Sequence, residues 1–216
     1  MAVADTLDAL LDEVSGKTRR EAYVHKMTHP VPDMPVYDRR AYILDKCKGK
    51  VVLNIGSASG ALHEQIVAVA AKAYGLDREH TGLPRHIPFD LETCHTELIP
   101  FLPSVELVVM GEVLEHLANP GHVLKRLRDA YACPVLVTTP NAFSAIGFAA
   151  LAKGIESVNR DHVAYYSYWT LRRLMERHGY TEQEAGWYNG KPKTAEGLVM
   201  LVRPDNSPRE GLMPIG

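Results

Sequence analysis

The chain is short of several things. Only three cysteines, Cys47, Cys94 and Cys133, are scattered over its 216 residues. They are odd in number and form no CxxC, so neither a disulfide framework nor a cysteine zinc site is indicated. A charge excess is missing too. The 24 basic and 26 acidic side chains leave a net charge of −2, which argues against a general nucleic-acid binder or a polybasic membrane protein. No apolar run reaches the roughly 20 residues that a bilayer span needs; the longest weakly polar stretch is Ala142 to Ala152. The first residues, MAVADTLDALLDEV, carry acids where a secretory signal would be basic, so a cytoplasmic protein is expected. Repeats and low-complexity tracts are absent. What remains is an ordinary globular composition, 46% hydrophobic and 23% charged, in a length that fits one domain with a small appendage.

Punctuation along the chain separates three parts. Leu7, Leu10, Leu11 and Val14 recur at helical spacing opposite acids, and Tyr37 to Lys46 reads as a second short helix. Between them HPVPDMP, with three prolines, must be a loop. Residues 1–48 are therefore expected to form an N-terminal helical cap. From 49 to 203 the pattern alternates. The runs Val51–Ile55, Ala73–Leu76, Glu106–Met110, Pro134–Thr139 and the closing GLVMLV read as strands. Ser59–Ala73, Pro120–Tyr131 and Trp169–His178 read as helices, the last stopped by Gly179. Such alternation implies an α/β, doubly wound, mostly parallel sheet covered on both faces, with ligands at the carboxyl ends of its strands. The Pro- and Gly-rich stretch 204–216 reads as a loose tail.

The first strand runs into tiny residues, LNIGSASG over Leu53–Gly60. Gly and Ala let a ligand approach the backbone closely, and the following helix offers free N–H donors. The loop lacks the Gly-Lys-Ser/Thr of a Walker A motif, the serine of a nucleophile elbow, and the third glycine of the dinucleotide fingerprint. A plain tight turn is the competing reading. Two acids stand in register with this loop. Asp77 ends the second strand, where a carboxylate can accept both hydroxyls of a ribose. Asp90, in Pro88-Phe89-Asp90-Leu91, suits the exocyclic amine of an adenine, with Leu91 against the ring. Both acids also suit plain turn and cap roles.

Together LNIGSASG, AYGLD, PFDL, ELVVMGEVLEHLANPGHVL, VLVTTPN and DHVAYYSYWTLRRLMERHGY resemble a class I S-adenosylmethionine-dependent methyltransferase. The resemblance implies a seven-stranded Rossmann-like sheet with an antiparallel last strand. It implies S-adenosylmethionine as cofactor, with Gly56, Ser57 and Gly60 at its methionine part, Asp77 at the ribose, and Asp90 with Leu91 at the adenine. Gly111 and Glu112 would follow the ELVVM strand beside the cofactor. One departure is Asn54, which stands where the family usually has an acid supporting the glycine loop.

Glu112-Val113-Leu114-Glu115-His116 concentrates chemistry just past a strand. On a helical turn Glu112 and Glu115 share a side, with His116 at i+4 from Glu112. His162 follows much later, before the aromatic run Tyr165-Tyr166-Ser167-Tyr168-Trp169. Two carboxylates and two imidazoles, Glu112, Glu115, His116 and His162, can hold a divalent cation. The string resembles the O-methyltransferases of ubiquinone biosynthesis and the small-RNA 2′-O-methyltransferases. Three readings stay open: a metal site, His116 as a metal-free general base with His162 as a second candidate, and a structural cap. His63, His80, His86, His95, His122 and His178 are expected at the surface or at helix ends. Asn141–Asn159, with Phe143, Ile146, Phe148, Leu151 and Ile155, is either a lid over the acceptor or a short helix packed on the core. The tyrosines and Trp169 either stack on a flat acceptor or pack, with Ser167 or Thr170 as a cap. Arg19-Arg20 with Tyr23, and Arg39-Arg40 with Tyr42, either touch substrate or form a solvated face.

The expected activity is methyl transfer to a small-molecule acceptor, at a hydroxyl oxygen. The alternatives are RNA 2′-O-methylation, disfavoured by the near-neutral charge, and a non-catalytic cofactor-binding subunit, motivated by Asn54.

Overall fold

The computed structural model describes residues 29–57, 60–79, 82, 84–93, 99 and 102–205. The chain divides into two compact units, Met1–Pro32 and Asp33–Gly216, and the described elements belong to the second. The expected helix near Thr6–Val14, the Arg19-Arg20 pair and the tail from 206 onward lie outside the described residues.

Among the described residues, eight strands form one sheet. In chain order the elements are β1 (Val36–Tyr37), α1 (Arg39–Cys47), β2 (Val51–Ile55), α2 (Ala61–Val69), β3 (Lys72–Asp77), β4 (His86–Pro88) and β5 (Leu107–Gly111). Then come α3 (Pro120–Ala130), β6 (Val135–Pro140), α4 (Ala145–Leu151), α5 (Tyr168–Arg177), β7 (Tyr180–Tyr188) and β8 (Gly197–Pro204). Their order across the sheet is β1-β7-β8-β6-β5-β2-β3-β4. Strands β2 to β6 are parallel where they pair, and β8 lies antiparallel between β6 and β7. The chain leaves β2 outward to β3 and β4, then returns to β5 on the other side. That reversal makes a crevice at the carboxyl ends of β2 and β5, the place where open α/β sheets bind ligands.

The short runs VVLNI, LVVMG and VLVTTP become central strands because β-branched and apolar side chains bury on both faces of a pleated sheet. Their parity sorts the core. Val52, Leu107, Val109 and Leu136 face Ile43 and Ile66 of α1 and α2. Leu53, Ile55, Val108, Met110, Val135 and Val137 face Leu124 of α3 and Leu171 and Met175 of α5. Each fully buried side chain of this kind contributes about 1.5–3 kcal/mol. Helix starts are set locally. Asp38 caps α1, Asn119 caps α3 with Pro120 following, and Ser167 with Thr170 makes a capping box on α5.

Four details differ from the sequence reading. The boundary expected at residue 48 falls inside the second unit: β1 pairs with β7 at the sheet edge, and α1 packs on the sheet. The sheet therefore has eight strands rather than seven. Tyr37 belongs to β1, because Asp38 starts the helix only after it. Helix α2 stops at Val69 although alanines follow, because Ala71 donates to the Lys50 carbonyl and turns the chain into β3. Strand β7 went unread, since its sequence TEQEA alternates charge on a half-exposed face. The antiparallel last strand is as expected. Among the described residues, no helix is long and apolar enough to cross a membrane. Cys47 and Cys133 are free and buried; burial pushes their thiols up to about 12 and about 11, which leaves them inert near neutrality.

Candidate functional site

The glycine turn is dictated by space. Gly56 has φ 71°, and a side chain there would strike Val113. Its N–H donates to the Leu76 carbonyl at 2.8 Å, which ties the end of β2 to β3. Gly60, at φ 95°, begins α2 without a side-chain cap. Ala58 and Ser59 lie outside the described residues.

At this end of the sheet lies a cavity of about 510 Å³. Of the nine residues expected at a cofactor, Gly56, Asp77, Asp90, Leu91 and Glu112 line it, and Asn54, Ser57, Gly60 and Gly111 do not. Arg78, Glu79 and Phe89 complete one wall, and His116, Leu117 and Asp161 another. Asp77 Oδ1 accepts from the Glu79 N–H at 3.1 Å, and Asp90 Oδ1 from the Glu92 N–H at 3.0 Å. Each acid is thus held in a turn of its own backbone, at the edge of the cavity. The turn role is the one these bonds show.

Glu112 does not share a side with Glu115. Its φ is 57°, a conformation that costs a non-glycine residue about 1 kcal/mol or more, so the helical spacing assumed from sequence fails. Only Leu114–His116 forms a single helical turn. The Glu112 carboxylate points to Tyr188, whose hydroxyl donates at 2.6 Å, and to Arg39, 3.7 Å away. Arg39 also donates to Thr138 Oγ1 at 3.0 Å and lies over the Tyr188 ring. Burial, with Glu112 beside it, raises the Tyr188 hydroxyl above its ordinary range. Arg39 and Tyr188 thus hold Glu112, which lines the cavity, in a contact that the sequence does not announce. For Arg39 the sequence left open substrate contact or a solvated face, and Tyr188 belongs to the unread strand.

Glu115, His116 and His162 do meet. One ligand atom from each lies within 4.8 Å of the others, a set that leaves Glu112 out. Glu115 is 1% exposed. Thr139 Oγ1 donates to one of its oxygens at 3.0 Å, and among the described residues the other has no partner. Burial pushes its carboxyl up to about 7, tempered by Thr139 and by its own backbone. Its carbonyl accepts from Val163 and Ala164, which stitches the later segment to the site. His116 Nδ1 lies 3.2 Å from the Asp161 carbonyl. A carbonyl only accepts, so Nδ1 carries the proton and Nε2 keeps a lone pair. The His162 ring stands edge-on to His116, 4.7 Å between centroids. Burial first, and then His116, hold its imidazole below the ordinary value.

Other expectations sort themselves. His63 is 2% exposed and not at the surface; it faces Asn54. His86 stands beside it. His122 and His178 are partly buried on α3 and after α5, and His80 and His95 lie outside the described residues. Tyr166 and Tyr168 are buried and Trp169 packs against the core, whereas Tyr165 is exposed. Arg40 is exposed, and Tyr42 is bound to Glu184. Helix α4 buries no residue, so it is not the core-packing helix that was one reading of Asn141–Asn159.

The comparisons fall on the same ground. The family model for the methyltransferase domain matches residues 23–185. The chain belongs to this methyltransferase domain family. No curated protein sequence matches it. Among solved structures, the small RNA methyltransferase HEN1 is similar at a TM-score of 0.63 and 15% identity over 84% of this chain; the chain spans only 27% of that protein. The Burkholderia thailandensis 1,6-didemethyltoxoflavin-N1-methyltransferase, solved with its substrate and S-adenosylhomocysteine, is similar at 0.58 and 12% identity, over 95% of this chain and 92% of that one. The magnesium protoporphyrin IX methyltransferase of Synechocystis PCC 6803, with S-adenosylhomocysteine bound, gives 0.56 and 14%, over 77% and 80%. These likenesses carry the fold. The family match carries S-adenosylmethionine-dependent methyl transfer, and the methyltransferase has its cavity where that fold binds ligands.

Proposed function

We propose that this methyltransferase acts on a hydroxyl oxygen of a small-molecule acceptor, with His116 as the general base. The observation that carries this reading is the orientation of His116. Its Nδ1 is tied to the Asp161 carbonyl, and both residues form the wall of the cavity that Asp77 and Asp90 enter from the other side. The residues fit S-adenosylmethionine: a glycine whose side chain space would exclude, two acids at strand ends, and Leu91 and Phe89 as apolar surfaces. When bound, the cofactor supplies a methyl group already activated on a sulfonium. The protein then has to align the acceptor and take its proton. His116 Nε2 is the atom that takes it. Asp77 would hold the ribose and Asp90 the adenine amine, while Tyr188 and Arg39 keep Glu112 fixed at the rim.

The acceptor is proposed to lie against the segment between β6 and α5. Eight of the eleven exposed large hydrophobic side chains among the described residues fall between Phe143 and Tyr165. Both feet of this segment are fastened at the site, through Ala142 to the Tyr166 carbonyl and through Val163 to the Glu115 carbonyl. An exposed apolar patch beside a catalytic cavity favours an aryl or alkyl acceptor.

The clustered donor atoms support a second reading. Glu115, His116 and His162 would hold a divalent cation, which would lower the pKa of an acceptor hydroxyl. Turnover of hydroxylated small molecules by wild type and His116→Ala, each with and without a chelator, tests both. Loss in the variant with no effect of chelation supports the base. Loss on chelation supports the cation. Full turnover in the variant overturns both.

A further inference from the structure

Behind the glycine turn, on the α1/α2 face, lies a polar cluster that the reaction as described does not use. Asn54 of β2, Gly75 of β3 and His86 of β4 stand in one row across the sheet, since Asn54 pairs with Gly75 and Gly75 with His86. From α2, His63 reaches down so that its Nδ1 lies 3.4 Å from Asn54 Nδ2. The amide N–H₂ only donates, so His63 accepts at Nδ1 and carries its proton on Nε2. Ser57 comes from the turn itself.

These groups converge on the missing side chain of Gly75. A Cβ there would lie 2.9 Å from Ser57 Oγ, 3.0 Å from the His86 ring and 3.3 Å from the His63 ring. Asn54, Ser57 and His63 are 3%, 5% and 2% exposed. Among the described residues, Ser57 Oγ, His63 Nε2 and both His86 nitrogens have no protein partner. Buried polar groups in such number are tolerated when they are bridged, and a bridging water is the smallest group that joins a donor at His63 Nε2 to an acceptor at Ser57 Oγ.

We propose that His63 is a positioning residue for the cofactor: with Asn54 it braces the two sides of the Gly56 turn, and its protonation releases that brace. The inference rests on the cavity being the S-adenosylmethionine site. Nδ1 is the atom that accepts from Asn54, so a proton placed there removes the bond that joins β2 to α2 across the turn. The groups facing His63 are His86 from β4 and Glu64 on its own helix. Burial and His86 keep His63 below the ordinary imidazole value, against a smaller opposing effect of Glu64. The neutral form is therefore the resident one near neutrality, and acid converts it.

The test is calorimetric titration with S-adenosylhomocysteine at about pH 8 and about pH 4.5, a range whose acid end reaches an imidazole held below its ordinary value, for wild type, His63→Gln and Asn54→Asp. In wild type, Kd is expected to rise about tenfold at the lower pH, the size of one lost buried hydrogen bond. His63→Gln, which accepts but does not titrate, is expected to bind alike at both. Asn54→Asp is expected to bind alike too, because a carboxylate neutralises the imidazolium, and it serves if His63→Gln fails to fold. Hydrogen-exchange protection of the Gly56 and Ser57 amides supplies a readout without cofactor: it should fall with acid in wild type alone. A pH-independent wild type, or full pH dependence in both variants, overturns the proposal. If S-adenosylhomocysteine binds at neither pH, the cofactor assignment falls instead, and the exchange data decide the brace by themselves.

Discussion

At the ends of β3 and β4 the chain holds Asp77 and Asp90 in turns bonded to their own backbone, beside a glycine turn tied to Leu76. Past β6 the opposite holds: Phe143, Ile146, Phe148 and Leu151 are all more than half exposed, and α4 buries nothing. The first region is polar and preorganised, and the second apolar and fastened only at its feet. The contrast matches two tasks. A ligand of one fixed shape favours groups whose ordering is complete before binding. An acceptor that differs between family members favours a loop on a rigid scaffold. Glu115, His116 and His162 stand at the seam, because Glu115 takes hydrogen bonds from Val163 and Ala164.

The comparison can be broken at that seam first. His116→Ala is expected to lower kcat about 10²- to 10⁴-fold, the usual contribution of a general base, with Kd for S-adenosylhomocysteine unchanged. A parallel loss of cofactor affinity in calorimetry would merge the two regions. On the polar side, Asp77→Ala is expected to weaken cofactor binding roughly ten- to hundredfold, as for a lost charge-assisted hydrogen bond, and to leave the melting temperature within a few degrees. Unchanged affinity would assign Asp77 to its turn alone.

Glu115 sharpens the seam through stability. Unfolded, its carboxyl titrates near 4.5, and in the fold it is pushed up to about 7. Between those values the unfolded chain ionises and the folded chain does not, so stability falls as pH rises through this window and stays low above it. Glu115→Gln keeps an acceptor for Thr139 and removes that loss. Urea unfolding with a chelator present should show the variant more stable by roughly 2–3 kcal/mol at about pH 8 and level with wild type at about pH 4. The smallest effect is expected on the apolar side. Phe148→Ser should shift stability by no more than about 0.5 kcal/mol and raise acceptor KM several-fold, with cofactor Kd untouched. An unchanged KM would remove the segment from the acceptor site.

Much of the first region was legible because it rests on backbone necessity. Only glycine fits at φ 71° against Val113, and strand, tiny loop and helix announce the turn. The acids were legible by their place at strand ends. The Glu112–His116 string was legible as a cluster and misread in geometry, since one left-handed residue turned Glu112 from its expected partners to Tyr188 and Arg39. His63 was invisible, because its meaning lies in a row of three strands that brings Asn54, Gly75 and His86 together.

Period, punctuation and composition alone determined the alternating α/β order, the parallel central strands and the crevice where a ligand enters, because those follow from local propensity and burial parity. Which side chains meet there was decided only by the tertiary structure. Arg39 and Tyr188 reach Glu112 from residues 73 and 76 positions away, and Asp161 orients His116 across 45. Contacts at such separations depend on strand order and crossover, which no local pattern in the chain encodes.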